Sequence, residues 1–256
     1  MDVPKFRLDG KVALVTGGSR GIGRAIALAF ADAGTDVAVS SRNLDELEKV
    51  AEEIRGLGRK ALAVVAHLGR MGELDNLVQK IMGEFGRIDI LVNNAATNPI
   101  WASIFESEER LWDSVINLNL KGPFFLSKKV AEIMKEQGGG SIINIASVEG
   151  FVVGDRTPIY DISKAGLIHF TRAAAFEWAK YSIRVNAIAP GFAQTRLTHA
   201  IWENPEYIAA LEGKIPLGHL AQPMEITGAA VYLASDAACY ATGSVLVVDG
   251  GLTLGI

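Results

Sequence analysis

The stretch KVALVTGGSRGIG, Lys11–Gly23, decides how the rest of the chain is read. Val12–Thr16 is a short apolar run of the length and β-branched content of a buried strand. A turn of small residues follows, Gly17-Gly18-Ser19-Arg20-Gly21-Ile22-Gly23, and then an apolar stretch of helical length. Small residues let the backbone turn tightly and approach a ligand, while the helix N-terminus supplies N–H groups and a positive dipole end. The placement after a first strand and before a helix points to a dinucleotide pyrophosphate held at Gly17, Ser19, Arg20, Gly21, Ile22 and Gly23. A tight turn without a ligand is the plain alternative. The spacing is Gly-x-x-x-Gly-x-Gly, not the commoner Gly-x-Gly-x-x-Gly.

Outward from that turn, strand-like runs alternate with amphipathic helical ones. Strands are expected at Val12–Thr16, Asp36–Ser40, Ala61–Ala66, Ile88–Val92, Ser141–Ile145, Arg184–Ala187 and Ser244–Val248. Helices are expected at Gly21–Ala33, Asn43–Gly58, Gly72–Phe85, Glu106–Lys135, Tyr160–Tyr181 and Met224–Ala234. The strand runs lack strict alternation, as strands covered on both faces do. Repeated βα units imply an α/β fold with a parallel, right-handed, doubly wound sheet. No linker, repeat or low-complexity segment divides the chain, so residues 1–256 read as a single domain. Pro190–Pro223 is the least regular part and reads as a lid or substrate loop.

Composition narrows the function classes. The 256 residues are 49% hydrophobic and 21% charged, with a formal charge of -4 and both signs interspersed. No basic stripe suggests nucleic acid. The single cysteine, Cys239, excludes an intrachain disulfide and is expected as a buried thiol. His169, His199 and His219 match no metal-ligand spacing and read as packing or surface residues. The N-terminus reaches a strand within about ten residues, leaving no room for a signal peptide. No apolar run approaches the roughly 18 residues of a membrane span. The C-terminal LGI is not a peroxisomal address, so the cytoplasm is expected.

A second stretch, SIINIASVEGFVVGDRTPIYDISK at Ser141–Lys164, carries the reactive groups. Ser147 stands just past the carboxyl end of a strand, the edge at which open α/β sheets bind ligands. Tyr160 and Lys164 are four apart at the start of a helix, which puts phenol and ammonium on one face. A free tyrosine titrates near about 10, too high for good acid–base work at neutral pH. A lysine cation about 4 Å away contributes roughly 4 kcal/mol at an effective dielectric of about 20, or about three pKa units. The pairing therefore predicts a phenol poised near neutrality, exchanging a proton with a carbonyl or alcohol oxygen. The Ser147 hydroxyl would hold that oxygen as charge develops. By itself, Tyr-x-x-x-Lys is also a common exposed helix pair.

Together with Asn93-Asn94-Ala95, Asn119 and Pro190-Gly191-x-x-x-Thr195, these motifs resemble the short-chain dehydrogenase/reductase family across about residues 8–251. The resemblance implies a single Rossmann domain with a seven-stranded parallel sheet. It adds Asn119 to Ser147, Tyr160 and Lys164 as a catalytic residue, kinking its helix and holding a water near the lysine. It also implies that Lys164 and Tyr160 contact the nicotinamide ribose. Asn94 would hold the central sheet and the adenosine side of the cofactor. Pro190, Gly191, Ala193 and Thr195 would orient the nicotinamide amide. His67 and Leu68 stand where the family usually has Asp-Val reading the adenine. His67-Leu68-Gly69 and the Asn94–Pro99 run resemble a peroxisomal carbonyl/retinal reductase subgroup. Family members commonly form tetramers through the helices expected at Glu106–Lys135 and Tyr160–Tyr181.

The residues after the second strand bear on the cofactor. NAD-dependent Rossmann enzymes carry an acid there that binds the ribose hydroxyls. This chain has Ser41, then Arg42, with Arg20 in the glycine turn. A hydroxyl and two guanidiniums suit a 2′-phosphate, so NADP(H) is the expected cofactor. The expected reaction is hydride transfer between nicotinamide and a small carbonyl or secondary alcohol. Ile100, Trp101, Phe151, Val152, Val153, Phe192 and Trp202 suit an apolar ketone or aldehyde, if they line the pocket. One alternative is a 3-oxoacyl carrier-protein reductase, although Gly138 and Phe176 stand where such enzymes carry basic docking residues. Another is a regulator that binds NADP without catalysis.

Overall fold

The protein is described by a computed structural model over residues 5–198 and 205–255. β1 (Val12–Thr16) is buried at all five positions. A strand apolar on every residue must be covered on both faces, and β1 accordingly lies inside the sheet. Ala13 and Val15 face one core, Leu14 the other. α1 (Gly21–Asp32) lays Ile26 and Phe30 on the first face. β2 (Asp36–Ser41) leads into α2 (Leu44–Gly56), whose start is capped by Asn43: its Oδ1 accepts from the Glu46 N–H at 3.2 Å. β3 (Ala61–Val65) and α3 (Met71–Phe85) follow, then β4 (Ile90–Asn93).

The helix expected at Glu106–Lys135 is interrupted. A 3₁₀ turn at Ile104–Glu106 precedes α4 (Glu109–Ile116), a π-helical segment spans Asn117–Lys121, and α5 runs over Gly122–Gln137. The wide turn is closed by the Gly122 N–H donating to the Asn117 carbonyl; it contains Asn119, the residue expected to kink the helix, and Pro123, which has no N–H, follows in the first turn of α5. Gly122 is required at the same place, because a Cβ would fall 2.6 Å from the Leu68 carbonyl oxygen. β5 (Gly140–Ile145), α6 (Pro158–Trp178) and β6 (Ile183–Pro190) come next. The segment expected to be irregular contains α7 (Pro205–Glu212). α8 (Thr227–Ala234) and β7 (Val245–Val248) close the fold.

The seven strands run β3-β2-β1-β4-β5-β6-β7, every pair parallel. α1, α2 and α8 cover one face; α3, α5 and α6 cover the other. After β3 the chain crosses the whole half-sheet to begin β4 beside β1. The loops leaving β1 and β4 therefore part in opposite directions, opening a crevice at the carboxyl edge. Cys239 is exposed, contrary to expectation. It follows a short turn at Asp236–Ala238 in which Ala238 takes the buried position. No helix among the described residues is long and apolar enough to cross a membrane.

Candidate active site

A cavity of about 990 Å³ fills the crevice. Its first wall is the glycine turn. Gly17 and Gly21 adopt φ of +64° and +55°, the left-handed region that favours glycine. A Cβ at Gly17 would also fall 2.7 Å from Asn94 Nδ2. Asn94 holds the turn from below, Nδ2 donating to the Thr16 and Gly17 carbonyls at 2.9 and 3.2 Å. Thr16 Oγ1 ties the ends of β1 and β4 together, donating to the Val92 carbonyl and accepting from the N–H groups of Asn94 and Ala95. Gly17, Ser19, Arg20, Gly21, Ile22 and Asn94 line the cavity. Gly23 is not among the lining residues. A Cβ there would collide with Asn94 Nδ2 and the Gly17 carbonyl, so its smallness seats α1 against the sheet.

Ser40, Ser41, Arg42, His67 and Leu68 line the cavity beside this turn. The Ser40 hydroxyl is buried and has no hydrogen-bond partner among the described residues. Arg42 is exposed and makes no ion pair among the described residues, whereas Arg20 faces Glu46 at 3.6 Å. Ser19 Oγ also donates to Glu46, at 3.1 Å. His67 Nδ1 accepts the Gly69 N–H at 3.1 Å, so the neutral ring carries its proton on Nε2. The His67 N–H donates to Glu73, and that bond holds the Glu73 carboxyl below its ordinary range.

At the other end, β5 delivers Ser147, which caps a short turn: its Oγ accepts the Glu149 N–H at 3.1 Å. α6 presents Tyr160 and Lys164, both buried. Lys164 Nζ donates to the Ile145 carbonyl at 2.7 Å and lies 5.4 Å from the Tyr160 ring centroid. The expected near-neutral phenol is corrected by this geometry. Burial pushes the Tyr160 hydroxyl up from its ordinary value, the charge of Glu149 adds to the rise, and the Ser147 hydroxyl opposes it. Burial likewise lowers the Lys164 ammonium to about 8, with Glu149 opposing. Both groups leave water, so desolvation is the largest influence on each. A phenol that keeps its proton is an acid, which suits donation to a carbonyl oxygen.

Asn119 is buried in the π-helical segment and does not line the cavity. Its amide pairs with the Thr97 backbone at 2.8 and 2.9 Å and donates to Ser163 Oγ at 3.2 Å. It thereby fastens the loop following β4 to α6, the helix of Tyr160 and Lys164. After β6, Pro190, Gly191, Phe192, Ala193 and Thr195 line the cavity opposite the turn. A Cβ at Gly191 would fall 2.9 Å from the Asp249 Cα, and one at Gly21 would touch Thr195 Cγ2 at 3.4 Å.

The family model for Enoyl-(Acyl carrier protein) reductase matches residues 17–253. The chain belongs to the short-chain dehydrogenase/reductase family. Like its relatives it is an oxidoreductase acting on CH–OH groups. A 2-dehydro-3-deoxy-D-gluconate 5-dehydrogenase from Dickeya dadantii is 41% identical over 247 residues, covering 96% of each chain. A 3-oxoacyl-(acyl-carrier-protein) reductase from Thermotoga maritima is 39% identical over 249 residues, 97% of this chain and 100% of that one. Among solved structures, a gluconate 5-dehydrogenase from Burkholderia cenocepacia in complex with NADP and tartrate superposes with a TM-score of 0.95 at 33% identity, covering 99% of both chains.

Within this short-chain dehydrogenase/reductase the cavity wall is more polar than the seven apolar residues implied. Trp101 and Phe192 line it, together with Thr97, Asn98, Glu149 and Arg196. Ile100 lines a neighbouring cavity of about 480 Å³. Phe151 and Val153 point to solvent, and Val152 does not reach the cavity. Trp202 and His199 lie outside the described residues. His169 and His219 are exposed. Sequence reasoning passed over Thr16, Ser40 and Glu149. The signal for Glu149 was a carboxylate only two residues beyond Ser147, in a loop at the functional edge of the sheet.

Proposed function

We propose that this protein is an NADP(H)-dependent reductase transferring hydride between the nicotinamide and a carbonyl compound or secondary alcohol. The observation that carries the reading is a buried phenol, Tyr160, beside Ser147 and Lys164 in the same cavity as a glycine turn. The cavity fits the cofactor: the left-handed Gly17 and Gly21 shape a side-chain-free turn at the α1 N-terminus, and the exposed Arg42 beside it makes no ion pair among the described residues. When bound, NADPH would supply the hydride. Gly17, Ser19, Gly21 and Ile22 would hold its pyrophosphate at the α1 N-terminus. Ser41 and Arg42, with Arg20, would hold the 2′-phosphate, His67 and Leu68 the adenine, and Pro190, Gly191, Ala193 and Thr195 the nicotinamide.

Tyr160 gives its proton to the carbonyl oxygen, and the Ser147 hydroxyl donates to the same oxygen as charge grows there. Lys164 is mostly protonated at neutral pH and stabilises the phenolate left behind. Asn119 positions α6 by fastening it to Thr97 and acts on the reaction through that helix. Trp101 and Phe192 give the substrate an apolar flank, which supports a ketone or aldehyde with an apolar side. The loop at 190–223 is the substrate loop in this reading. Residues 1–256 act as one domain. A homotetramer in the cytoplasm is also proposed; exposed Trp112, Phe124, Phe125 and Phe176 on α4, α5 and α6 support association.

The test is NADPH oxidation across a panel of aldehydes, simple ketones, hydroxyketones and acetoacetyl carrier protein. Turnover of small carbonyls with NADPH preferred over NADH is expected. NADPH binding with no turnover of any compound would move the protein to the regulator class. Turnover confined to the carrier-linked substrate would make it a carrier-protein reductase. Light scattering of the purified protein reads the assembly, and a monomeric mass overturns the tetramer.

A further inference from the structure

Two carboxylates stand beside the reacting groups, and the protein treats them differently. Asp161 is spent on the loop before α6: its Oδ2 accepts the Gly154 N–H at 3.1 Å and its Oδ1 accepts the Thr157 hydroxyl at 3.0 Å. Glu149 lines the catalytic cavity, and its carboxylate accepts no hydrogen bond from any described residue. Its backbone is anchored, the N–H donating to Ser147 Oγ at 3.1 Å, so the side chain starts one turn from the oxygen-holding serine. Gly154 lies against it: a Cβ there would collide with Glu149 Oε1 and Thr157 Oγ1, so a side chain at 154 would shift the carboxylate or the hydroxyl. The charge of Glu149 reaches both Tyr160 and Lys164.

A half-buried carboxylate without partners costs desolvation unless a ligand supplies a donor. Among the described residues Glu149 makes no ion pair, and Lys164 gives its hydrogen bond to the Ile145 carbonyl. We propose that Glu149 is a specificity-determining residue that accepts a hydrogen bond from a substrate hydroxyl close to the reacting carbon, so that the substrates are hydroxylated ketones and the corresponding vicinal diols. This rests on the reductase reading above and narrows it. Burial raises the Glu149 carboxyl to about 7, with Asp161 adding to the rise and Lys164 opposing. A hydroxyl satisfies either form, donating to the carboxylate or accepting from the acid. A substrate carboxylate at the same place would meet like charge. Trp101 and Phe192 then serve the substrate's apolar side.

The test compares two ketone pairs that differ by one hydroxyl, hydroxyacetone with acetone and acetoin with butanone. The measured quantity is the ratio of kcat/KM within each pair, so the intrinsic reactivity of each ketone cancels between wild type and variant. Glu149→Leu is expected to lower the ratio by about tenfold or more, chiefly through KM for the hydroxylated member. Glu149→Gln keeps an acceptor oxygen and is expected to lower it by only a few fold. Gly154→Ala leaves the charge in the chain but shifts it, and is expected to lower the ratio by less than Glu149→Leu does. If Glu149→Leu fails to fold, Gly154→Ala and Glu149→Gln carry the comparison. A ratio unchanged within about twofold, while both ketones are still reduced, overturns this inference and leaves the reductase reading intact. Failure of the wild type to reduce any carbonyl overturns the reductase reading itself.

Discussion

The two ends of the cavity use charge in opposite ways. At the glycine-turn end, Arg20 and Arg42 are exposed, and Ser41 beside them is only partly buried. Their electrostatics there is attraction for an anion, weakened by water and salt. At the catalytic end, Tyr160 and Lys164 are 8% and 2% exposed, and burial is the largest influence on each. The same kinds of group act through charge in one place and through desolvation in the other. Pairing a lysine with a tyrosine does not by itself make an acidic phenol; the surrounding dielectric decides.

The sharpest way to break this contrast is to remove the buried acid. Tyr160→Phe is expected to lower kcat by about 10²–10⁴-fold, the range of lost acid–base catalysis, while leaving NADPH affinity close to wild type. Retained turnover would show that another group supplies the proton.

Next in size is a stability effect. The Glu149 carboxyl, raised from 4.5 to about 7, binds a proton in the folded state that the unfolded chain has already released over that interval. Its protonated form is thus stabilising below pH 4.5, and the contribution is lost as pH rises to about 7. The loss amounts to about 3 kcal/mol at about 1.4 kcal/mol per pKa unit. Urea unfolding of wild type against Glu149→Gln across that window should show the wild type falling relative to the variant. Parallel curves would mean that Glu149 titrates like an exposed acid.

Arg42→Ala comes third. Loss of a charge-assisted phosphate contact of about 1.5–3 kcal/mol predicts roughly a tenfold to hundredfold fall in preference for NADPH over NADH. Arg20→Ala should cost less, because Glu46 already occupies part of that guanidinium. Equal preference for both cofactors in wild type would remove the basis of the comparison. The smallest effect is expected at an exposed ion pair away from the cavity. Arg24→Ala, which separates Arg24 from Glu53 on α1 and α2, should change stability by less than about 1 kcal/mol.

Much of the architecture was legible in local sequence. β1 matches its expected bounds, and the other strands differ only at their ends, by up to three residues at β6. Apolar runs and helical periodicity are properties of neighbouring residues, and the glycine turn needs no remote context. The divided helix at Glu109–Gln137 has its local marks in Asn119 and Pro123, although helical periodicity alone runs through them. Cys239 was misread because a thiol's usual burial says nothing about which side of a turn it takes. Phe151 and Val153 were misread for a similar reason: apolar character suggested a pocket wall, and the loop turns them to water.

The chain's own residues determined the order of strands and helices, the phosphate-cradling turn, and the identity of the serine, tyrosine and lysine, because each is encoded within a few adjacent positions. Only the tertiary structure decided that burial pushes the phenol up, that Asn119 holds Thr97, and that Glu149 stands without a partner among the described residues, against Gly154. Those properties depend on how much water remains around a group and which distant segment lies against it, and both are set by packing.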